Sequence, residues 1–567
     1  MSNKTLDQGT LTPEYTPINQ SVYEFMESRC RQYGQRQALS YYGKKITYTQ
    51  MLQEIDRVAM ALQQMGVQKG DTVVVALPSI PQAVYLFYAI NKIGAIFCGM
   101  DCRLLAEEIA DIVSHVKPKV CFVADFQLKE FSQIHSTQVV CISFVKAIKF
   151  LSDIGAFFAD LFLGRKHVIA KRSHIRSYSK FLKGSAKHPA LEDVTVKSED
   201  ICAYFYTSGT TKGRKCVVLS NENINSSVLQ YSFSQADFKN AGHFCSIMPL
   251  FTCYGISLGT HLPLILGMKI CMIPLFFGKD MKKLLLRYQP GYIITVPAHW
   301  DHFVTDKFDG VDLSFLRGAI VGGDKIDNNS EERLNEIFAS CNSKAKVMRG
   351  YGLTEASTAV TTQPANTPKG SVGATLCWSE IGIFDPETGE RLPTGEPGEI
   401  CVCGPNICRG YLGDPKATAD LLRRHPDGKI WLHSGDIGYM DEDGFLFFCE
   451  RIKRMYVRFD GTKISPYAIE KLLQKCPVIS RSLVVAVDDK KHFHGKCAKA
   501  YIVLKKGIDP EDALPIIKKH AHAMISNYMR PEEYIFVDRL PTTRSGKLDY
   551  FEKAQIPSKK PPTDQCH

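Results

Sequence analysis

Long charge-free apolar runs are missing from this sequence. The most apolar stretch, Ile247 to Phe277, is broken by His261, Pro263 and Lys269. It reads as core strands and a helix, not as a membrane span. The opening stretch, Met1 to Pro17, is polar with Pro and Gly. It has no apolar h-region, so no secretory leader is expected. None of the 19 cysteines forms a C-x-x-C pair, and the number is odd. Cys401 and Cys403 alternate within a strand pattern, which fits small core residues better than a metal site. The expectation is reduced thiols in a cytoplasmic protein. No dense Arg/Lys stripe interleaved with aromatics is present, so nucleic acid is not an expected partner. Internal repeats are absent as well.

What is present bounds the rest. The chain has 567 residues, enough for several domains and a large core. Hydrophobic residues make up 44% and charged residues 23%, the balance of a globular protein. The net charge is +11, from 70 basic and 59 acidic residues. That mild excess suits anionic ligands such as ATP, CoA or a lipid surface.

One stretch organises the chain: Tyr206-Thr207-Ser208-Gly209-Thr210-Thr211-Lys212-Gly213-Arg214-Lys215. Apolar runs flank it, Ile201 to Phe205 before and Cys216 to Leu219 after. It therefore reads as a tight loop between two strands. Gly209 and Gly213 let backbone N–H groups turn inward, Thr and Ser hydroxyls add donors, and Lys215 adds a point charge. Such a loop suits phosphate. The G-x-x-x-x-G-K-[ST] spacing of a Walker A loop is absent. An ordinary Ser/Thr/Gly hairpin has the same composition.

Four later stretches decide between these readings. They are Arg349-Gly350-Tyr351-Gly352-Leu353-Thr354-Glu355-Ala356, Ser434-Gly435-Asp436-Ile437-Gly438, Glu450-Arg451-Ile452-Lys453, and Leu540-Pro541-Thr542-Thr543-Arg544-Ser545-Gly546-Lys547. In this order the five stretches resemble the adenylate-forming superfamily of acyl-CoA synthetases, luciferases and peptide-synthetase adenylation domains. The resemblance runs from about Thr49 to Lys547. It implies an α/β fold: a large N-terminal domain of parallel or mixed sheets flanked by helices plus a small barrel, and a smaller mobile α+β C-terminal domain.

The resemblance also implies a two-step reaction. A carboxylate attacks the α-phosphorus of ATP and pyrophosphate leaves; a thiol then opens the acyl-AMP. The first step gathers negative charge on crowded oxygens, so cations, N–H donors and a metal are needed. Lys547 matches the family's C-terminal catalytic lysine. Glu355 resembles its Mg²⁺ ligand and Thr354 its α-phosphate contact; one carboxylate suffices for magnesium, which takes its remaining ligands from phosphate and water. Thr207, Ser208, Gly209, Thr210, Thr211 and Lys215 fall on the phosphate loop. Gly350, Tyr351 and Gly352 fall where adenine stacks, and Asp436 and Arg451 where the ribose hydroxyls are held. Lys453 stands at the hinge about which the C-terminal domain is expected to rotate, and Gly461 and Lys463 on the face expected to serve the thiol step. The acid pocket is assigned to Phe251, Thr252, Gly255, Gly322 and Gly323. Amino-acid-activating relatives place an Asp near Thr252; none is present, and a buried ammonium without a partner is costly. The acid is expected to lack an α-amino group.

The phosphate loop departs from the family pattern Thr-Thr-Gly-x-Pro-Lys-Gly. Here the chain reads Thr-Thr-Lys-Gly-Arg-Lys-Cys, with the proline gone and Cys216 in place of the last glycine. Extra cations suit pyrophosphate, while Lys212 is placed to obstruct a close backbone approach. Asn221 stands where His is common.

The chain divides on this reading into a lead-in (1–20), an AMP-binding domain (21–451), a C-terminal lid (452–556) and a tail (557–567). Thr49 reads as the cap of a long helix ending near Gly66. Asp509 reads as the cap, with Pro510 first, of a helix running to about Ile525. An insertion at about 144–187 departs from the strand–helix rhythm. Phe150, Leu151, Ile154, Phe157, Phe158, Leu161 and Phe162 share a helical face with basic residues on both sides. That profile fits a membrane interface or a helix docked on its own protein. Sequence alone thus points to an AMP-forming fatty acid–CoA ligase using Mg²⁺, ATP and CoA. Two rivals stand beside it: a ligase serving an acyl carrier protein, and a non-catalytic binder of acyl chains or nucleotide.

Overall fold

The computed structural model describes residues 14–131, 134, 136–142, 174–185, 191–207, 214–234, 238, 242–274, 276, 278–324, 326, 328–364, 366–458, 462–489 and 496–540. The chain folds as two compact units. One holds residues up to Ile381 and Cys401–His433; the other holds Gly382–Ile400 and everything from Ser434 on. The chain passes between them inside three strands, Glu380–Phe384, Gly398–Cys403 and Ile430–Met440.

The first unit contains two seven-stranded sheets. Strand β1 (Gln37–Tyr41) and its hairpin partner β2 (Lys44–Thr47) form one edge of the second of these sheets. The first sheet is built from β3 (Thr72–Ala76), β4 (Ile96–Gly99), β5 (Val120–Ala124), β6 (Gln138–Ile142), β7 (Ile175–Ser177), β8 (Ile201–Tyr206) and β9 (Cys216–Ser220). Its order is β7-β6-β5-β3-β4-β8-β9, all parallel except the β8–β9 hairpin. Val73-Val74-Val75 is apolar without alternation because helices cover both faces of a central parallel strand. The second sheet adds β10 (His243–Ser246), β11 (Lys269–Met272), β12 (Tyr292–Thr295), β13 (Gly318–Val321) and β14 (Lys346–Arg349). Its order is β14-β13-β12-β10-β11-β1-β2.

Among the flanking helices are α1 (Val22–Cys30), α2 (Tyr48–Gln64), α3 (Pro81–Lys92) and α4 (Ala106–Val116). The cap of α2 is Thr47, not Thr49. The Thr47 hydroxyl accepts from the Gln50 N–H, and the Gln50 side chain accepts from the Thr47 N–H. Thr49 lies one residue into the first turn, where a hydroxyl closes no such box. The proposed insertion is shorter than expected, since β7 and the helix Tyr178–Ser185 belong to the first sheet's edge. Its amphipathic Phe-rich face lies outside the described residues. No described helix is long and apolar enough to cross a membrane. The eighteen described cysteines are free thiols.

The second unit carries an antiparallel pair, Ile479–Asp488 with Lys496–Leu504, extended by the parallel strand Glu533–Phe536. Helices Pro466–Leu473 and Pro510–Met524 pack over it around Ile469, Leu473, Val484, Ile502 and Ile517. Asp509 caps the second helix by accepting from the Glu511 N–H, and Pro510 takes the first position.

Candidate active site

In open α/β sheets, ligands collect beyond the carboxyl ends of parallel strands. The first unit's predicted site residues lie there. Thr207 follows β8, Phe251 and Thr252 follow β10, Gly322 follows β13 and Gly350 follows β14.

The neck of the predicted phosphate loop is closed by two hydrogen bonds. The Thr207 N–H donates to the Lys215 carbonyl at 2.9 Å, and the Lys215 N–H donates to Thr207 Oγ1 at 3.2 Å. Ser208, Gly209, Thr210 and Thr211 lie outside the described residues. The Lys215 ammonium sits 4.4 Å from the centroid of the Tyr411 ring. The Tyr411 hydroxyl donates to Glu355 Oε1 at 2.8 Å. Desolvation first, and the Glu355 charge second, push the Tyr411 hydroxyl well above the usual phenol range. It stays a donor throughout the physiological range. Three groups far apart in sequence thus meet in a row.

Glu355 occupies a short 3-10 turn, Thr354–Ala356. Its carbonyl accepts from the Cys408 N–H at 2.7 Å. The two residues after the turn are backbone outliers: Ser357 has φ 55° and Thr358 φ 127°. Such conformations are costly for residues with a Cβ. Buried bonds hold them, from Ser357 Oγ to the Asn406 carbonyl (2.8 Å) and from Ser227 Oγ to the Ser357 carbonyl (3.0 Å). Gly352 is fixed by close approach, since a Cβ there would lie 1.8 Å from the Thr358 carbonyl oxygen. Tyr351 is 7% exposed, and its N–H donates to Thr361 Oγ1 at 2.7 Å.

Around the predicted acid pocket, Thr252 acts as a helix cap. Its Oγ1 accepts from the Gly255 N–H at 3.1 Å and donates to the Pro249 carbonyl at 2.8 Å. Tyr254 reaches from this turn to the loop after β13. Its hydroxyl lies 2.9 Å from where a Cβ on Gly322 would stand. Gly323 follows with φ 79°. Asn221, at the position where His is common, is a buried fastener. It accepts from the Val22 N–H and Asn91 Nδ2 and donates to the Lys197 and Asp200 carbonyls.

The second unit holds Asp436 and Arg451 as a cross-strand pair, with Asp436 Oδ1 3.3 Å from Arg451 Nε. Asp436 is buried, whereas the Arg451 side chain is 64% exposed. Lys453 falls in the turn Ile452–Arg454, beside the buried Arg454–Glu470 ion pair. The side chains of Lys453 and Lys463, and all of Gly461 and Lys547, lie outside the described residues.

Sequence reading missed Tyr411, Glu108, Arg214 as a tethered residue, and His115. Tyr411 sits in Arg409-Gly410-Tyr411-Leu412, which carries no local signature of chemistry. Its 56-residue separation from Glu355 closes only in the fold.

Known proteins share this architecture. The solved anthranilate CoA ligase AuaEII, bound to anthranoyl-AMP, superposes with a TM-score of 0.78 at 21% identity, covering 94% of this chain and 96% of that one. ATP-bound MatB from Rhodopseudomonas palustris gives 0.77 at 22%, covering 93% and 97%. Among relatives by sequence, the long-chain-fatty-acid–CoA ligase of Bacillus subtilis (strain 168) is 27% identical over 94% of both chains. The 4-coumarate:CoA ligase 1 of Petunia hybrida is also 27% identical, over 94% of this chain and 93% of its own. The AMP-binding enzyme family matches residues 26–412, and the AMP-binding enzyme C-terminal domain matches residues 468–547. With both domains matched in order over most of its length, the chain belongs to the AMP-binding enzymes of the adenylate-forming superfamily.

Proposed function

We propose that this protein activates a carboxylic acid as acyl-AMP and transfers the acyl group to CoA. The observation that carries the reading is the row Lys215–Tyr411–Glu355 at the carboxyl ends of the parallel strands. It sets a cation over an aromatic ring and a carboxylate at that ring's hydroxyl, beside the neck of a Ser/Thr/Gly loop. Both relatives described above are CoA ligases, which supports CoA as the thiol.

Each residue then has a task. Lys215 and the Thr207 loop hold the β- and γ-phosphates. Thr354 orients the α-phosphate. Tyr351 and the glycines around it seat adenine, and Asp436 accepts from the ribose hydroxyls beside Arg451. Lys547 brings an ammonium to the incoming carboxylate and α-phosphate as pyrophosphate departs. Glu355 suits Mg²⁺: it is half-buried, one oxygen is fixed by Tyr411, and among the described residues the other accepts no hydrogen bond. Bound there, the metal would neutralise charge on the phosphate oxygens.

The acid is one without an α-amino group. Supporting this, Thr252 stands in the region where amino-acid-activating relatives place an Asp, and its hydroxyl is spent within its own turn on the Gly255 N–H and the Pro249 carbonyl. A fatty acid is the substrate class we put first, supported by the Bacillus relative. Aromatic acids rank second, because relatives of equal identity are 4-coumarate ligases.

Pyrophosphate release with Mg·ATP, across short, long-chain and aromatic acids with and without CoA, tests the reading. Acid-dependent release that rises with CoA supports it and names the acid. Release indifferent to CoA transfers the thiol role to a carrier protein. No release with any acid overturns it.

A further inference from the structure

Arg214 stands where the family's phosphate loop carries proline, and its side chain pairs with helix α4. Arg214 Nη2 lies 2.7 Å from Glu108 Oε1, with the two side chains 22% and 9% exposed. The second Glu108 oxygen accepts from the Leu105 N–H at 2.9 Å, which pins the carboxylate to the first turn of α4. A helix N-terminus favours negative charge, so the first turn of α4 suits the Glu108 carboxylate as Arg214 does. At the other end of α4, His115 bridges Tyr206 and Leu412. Its Nε2 donates to the Leu412 carbonyl at 3.1 Å, and its Nδ1 lies 2.9 Å from the Tyr206 hydroxyl. Helix α4 therefore grips both sides of the loop's neck: Tyr206 at the end of β8, and Arg214 just before β9.

Arg214 is tied to α4 while its immediate neighbour Lys215 lies over the Tyr411 ring, so fixing the one limits where the other can reach. Arg214 is thus committed to a tether and is not one of the cations offered to phosphate. A proline fixes its own φ covalently; here a part-buried ion pair fixes the same point of the chain from outside.

We propose that Glu108 is a positioning residue for Lys215, acting through Arg214, and that this pair replaces the family's proline. The inference rests on the reading of Lys215 as a phosphate-binding residue. The step from Glu108 to Arg214 stands without it.

The test uses the full chain and four variants: Glu108→Gln, Arg214→Ala, Arg214→Pro and Glu108→Gln with Arg214→Pro. Glu108→Gln and Arg214→Ala are expected to weaken Mg·ATP binding about tenfold, less than for directly breaking a buried ion pair, because the effect reaches Lys215 only through the chain. KM for Mg·ATP should rise with little change in kcat. Arg214→Pro, alone or with Glu108→Gln, is expected to restore wild-type affinity, which a merely structural loss would not do. Unchanged affinity in Glu108→Gln, or no restoration by proline, overturns the proposal. A second readout needs no nucleotide. Tryptic cleavage after Arg214 requires that side chain to be free, so it should accelerate in Glu108→Gln; an unchanged rate overturns the tether. If the wild-type chain binds no Mg·ATP while cleavage still accelerates, the tether stands and the proposed function fails, and with it the role assigned to Lys215.

Discussion

The Tyr411 hydroxyl donates to Glu355 Oε1 at 2.8 Å, while the Lys215 ammonium lies over the ring of the same side chain, 4.4 Å from its centroid. One aromatic residue thus sets the distance between a carboxylate and an ammonium. The hydrogen bond orients the carboxylate, and the ring face holds the cation by its quadrupole.

Tyr411→Phe separates these two effects. The ring stays under Lys215 and the bond to Glu355 is lost. A hydrogen bond to a charged group contributes about 1.5–3 kcal/mol, so the Mg²⁺ concentration for half-maximal pyrophosphate release should rise about tenfold or more. KM for the acid should not change. Titrating Mg²⁺ at saturating ATP and acid checks it, and an unaltered midpoint would remove Tyr411 from the site.

Lys547→Ala should lower acyl-AMP formation by several orders of magnitude, ~4 kcal/mol or more of barrier. ATP binding should persist, because the loss falls on the step in which charge develops. Acid-dependent exchange of labelled pyrophosphate into ATP is the measurement. Exchange near the wild-type rate would refute the assignment.

His261 makes stability depend on pH. It is fully buried, with Nδ1 3.0 Å from the Tyr88 hydroxyl and Nε2 3.0 Å from Asn225 Oδ1. Because Asn225 Oδ1 only accepts, Nε2 carries the proton and Nδ1 accepts from Tyr88. Burial pushes the imidazole down from 6.5 to about 3. Between those values the unfolded chain binds a proton that the native chain does not, so stability falls as pH drops through this window, by up to ~1.4 kcal/mol per pH unit. His261→Gln is expected to be less stable at pH 7.5 yet to show a shallower loss between pH 6.5 and 5. Urea denaturation of both proteins across that range decides it; parallel slopes would exclude His261 as the source.

The Phe-rich stretch between β6 and β7 tests membrane contact. These strands are parallel neighbours, so a crossover of a dozen or more residues has to remain between them. Replacement is therefore a better probe than deletion. If that stretch lies in a membrane interface, Phe150→Asp, Phe157→Asp and Leu161→Asp together should abolish flotation with anionic liposomes while leaving acyl-AMP formation intact. Flotation that is unchanged, or absent in the wild type, would assign the stretch to the protein's own surface.

Local chemistry was legible from the sequence. The unbroken valines of β3, the Pro81 start of α3 and the Asp509–Pro510 cap each follow from steric and hydrogen-bonding rules acting within a few residues. So did the presence of Glu355, Asp436 and Arg451, because short motifs keep their spacing along the chain. The cap of α2 was misplaced by two residues, since Thr47 and Thr49 both fit the pattern and only the reciprocal bond with Gln50 distinguishes them.

Tertiary structure decided what each residue is paired with. Nothing in Arg214 or Glu108 foretells that they meet across 106 positions, and without that contact Arg214 reads as one more cation for phosphate. Asn221 likewise reads only as a departure where His is common, until four hydrogen bonds show it fastening buried backbone and side chains. Tyr411 has no motif of its own and becomes part of the site only when the return of the chain at 409–412 pairs with β9. Sequence sets which groups are available and how each short segment folds, because those forces act over a turn or a strand. The assignment of a charged side chain to a tether or to a ligand depends on which partner the packing of distant elements brings within about 3 Å, and that is decided by the fold.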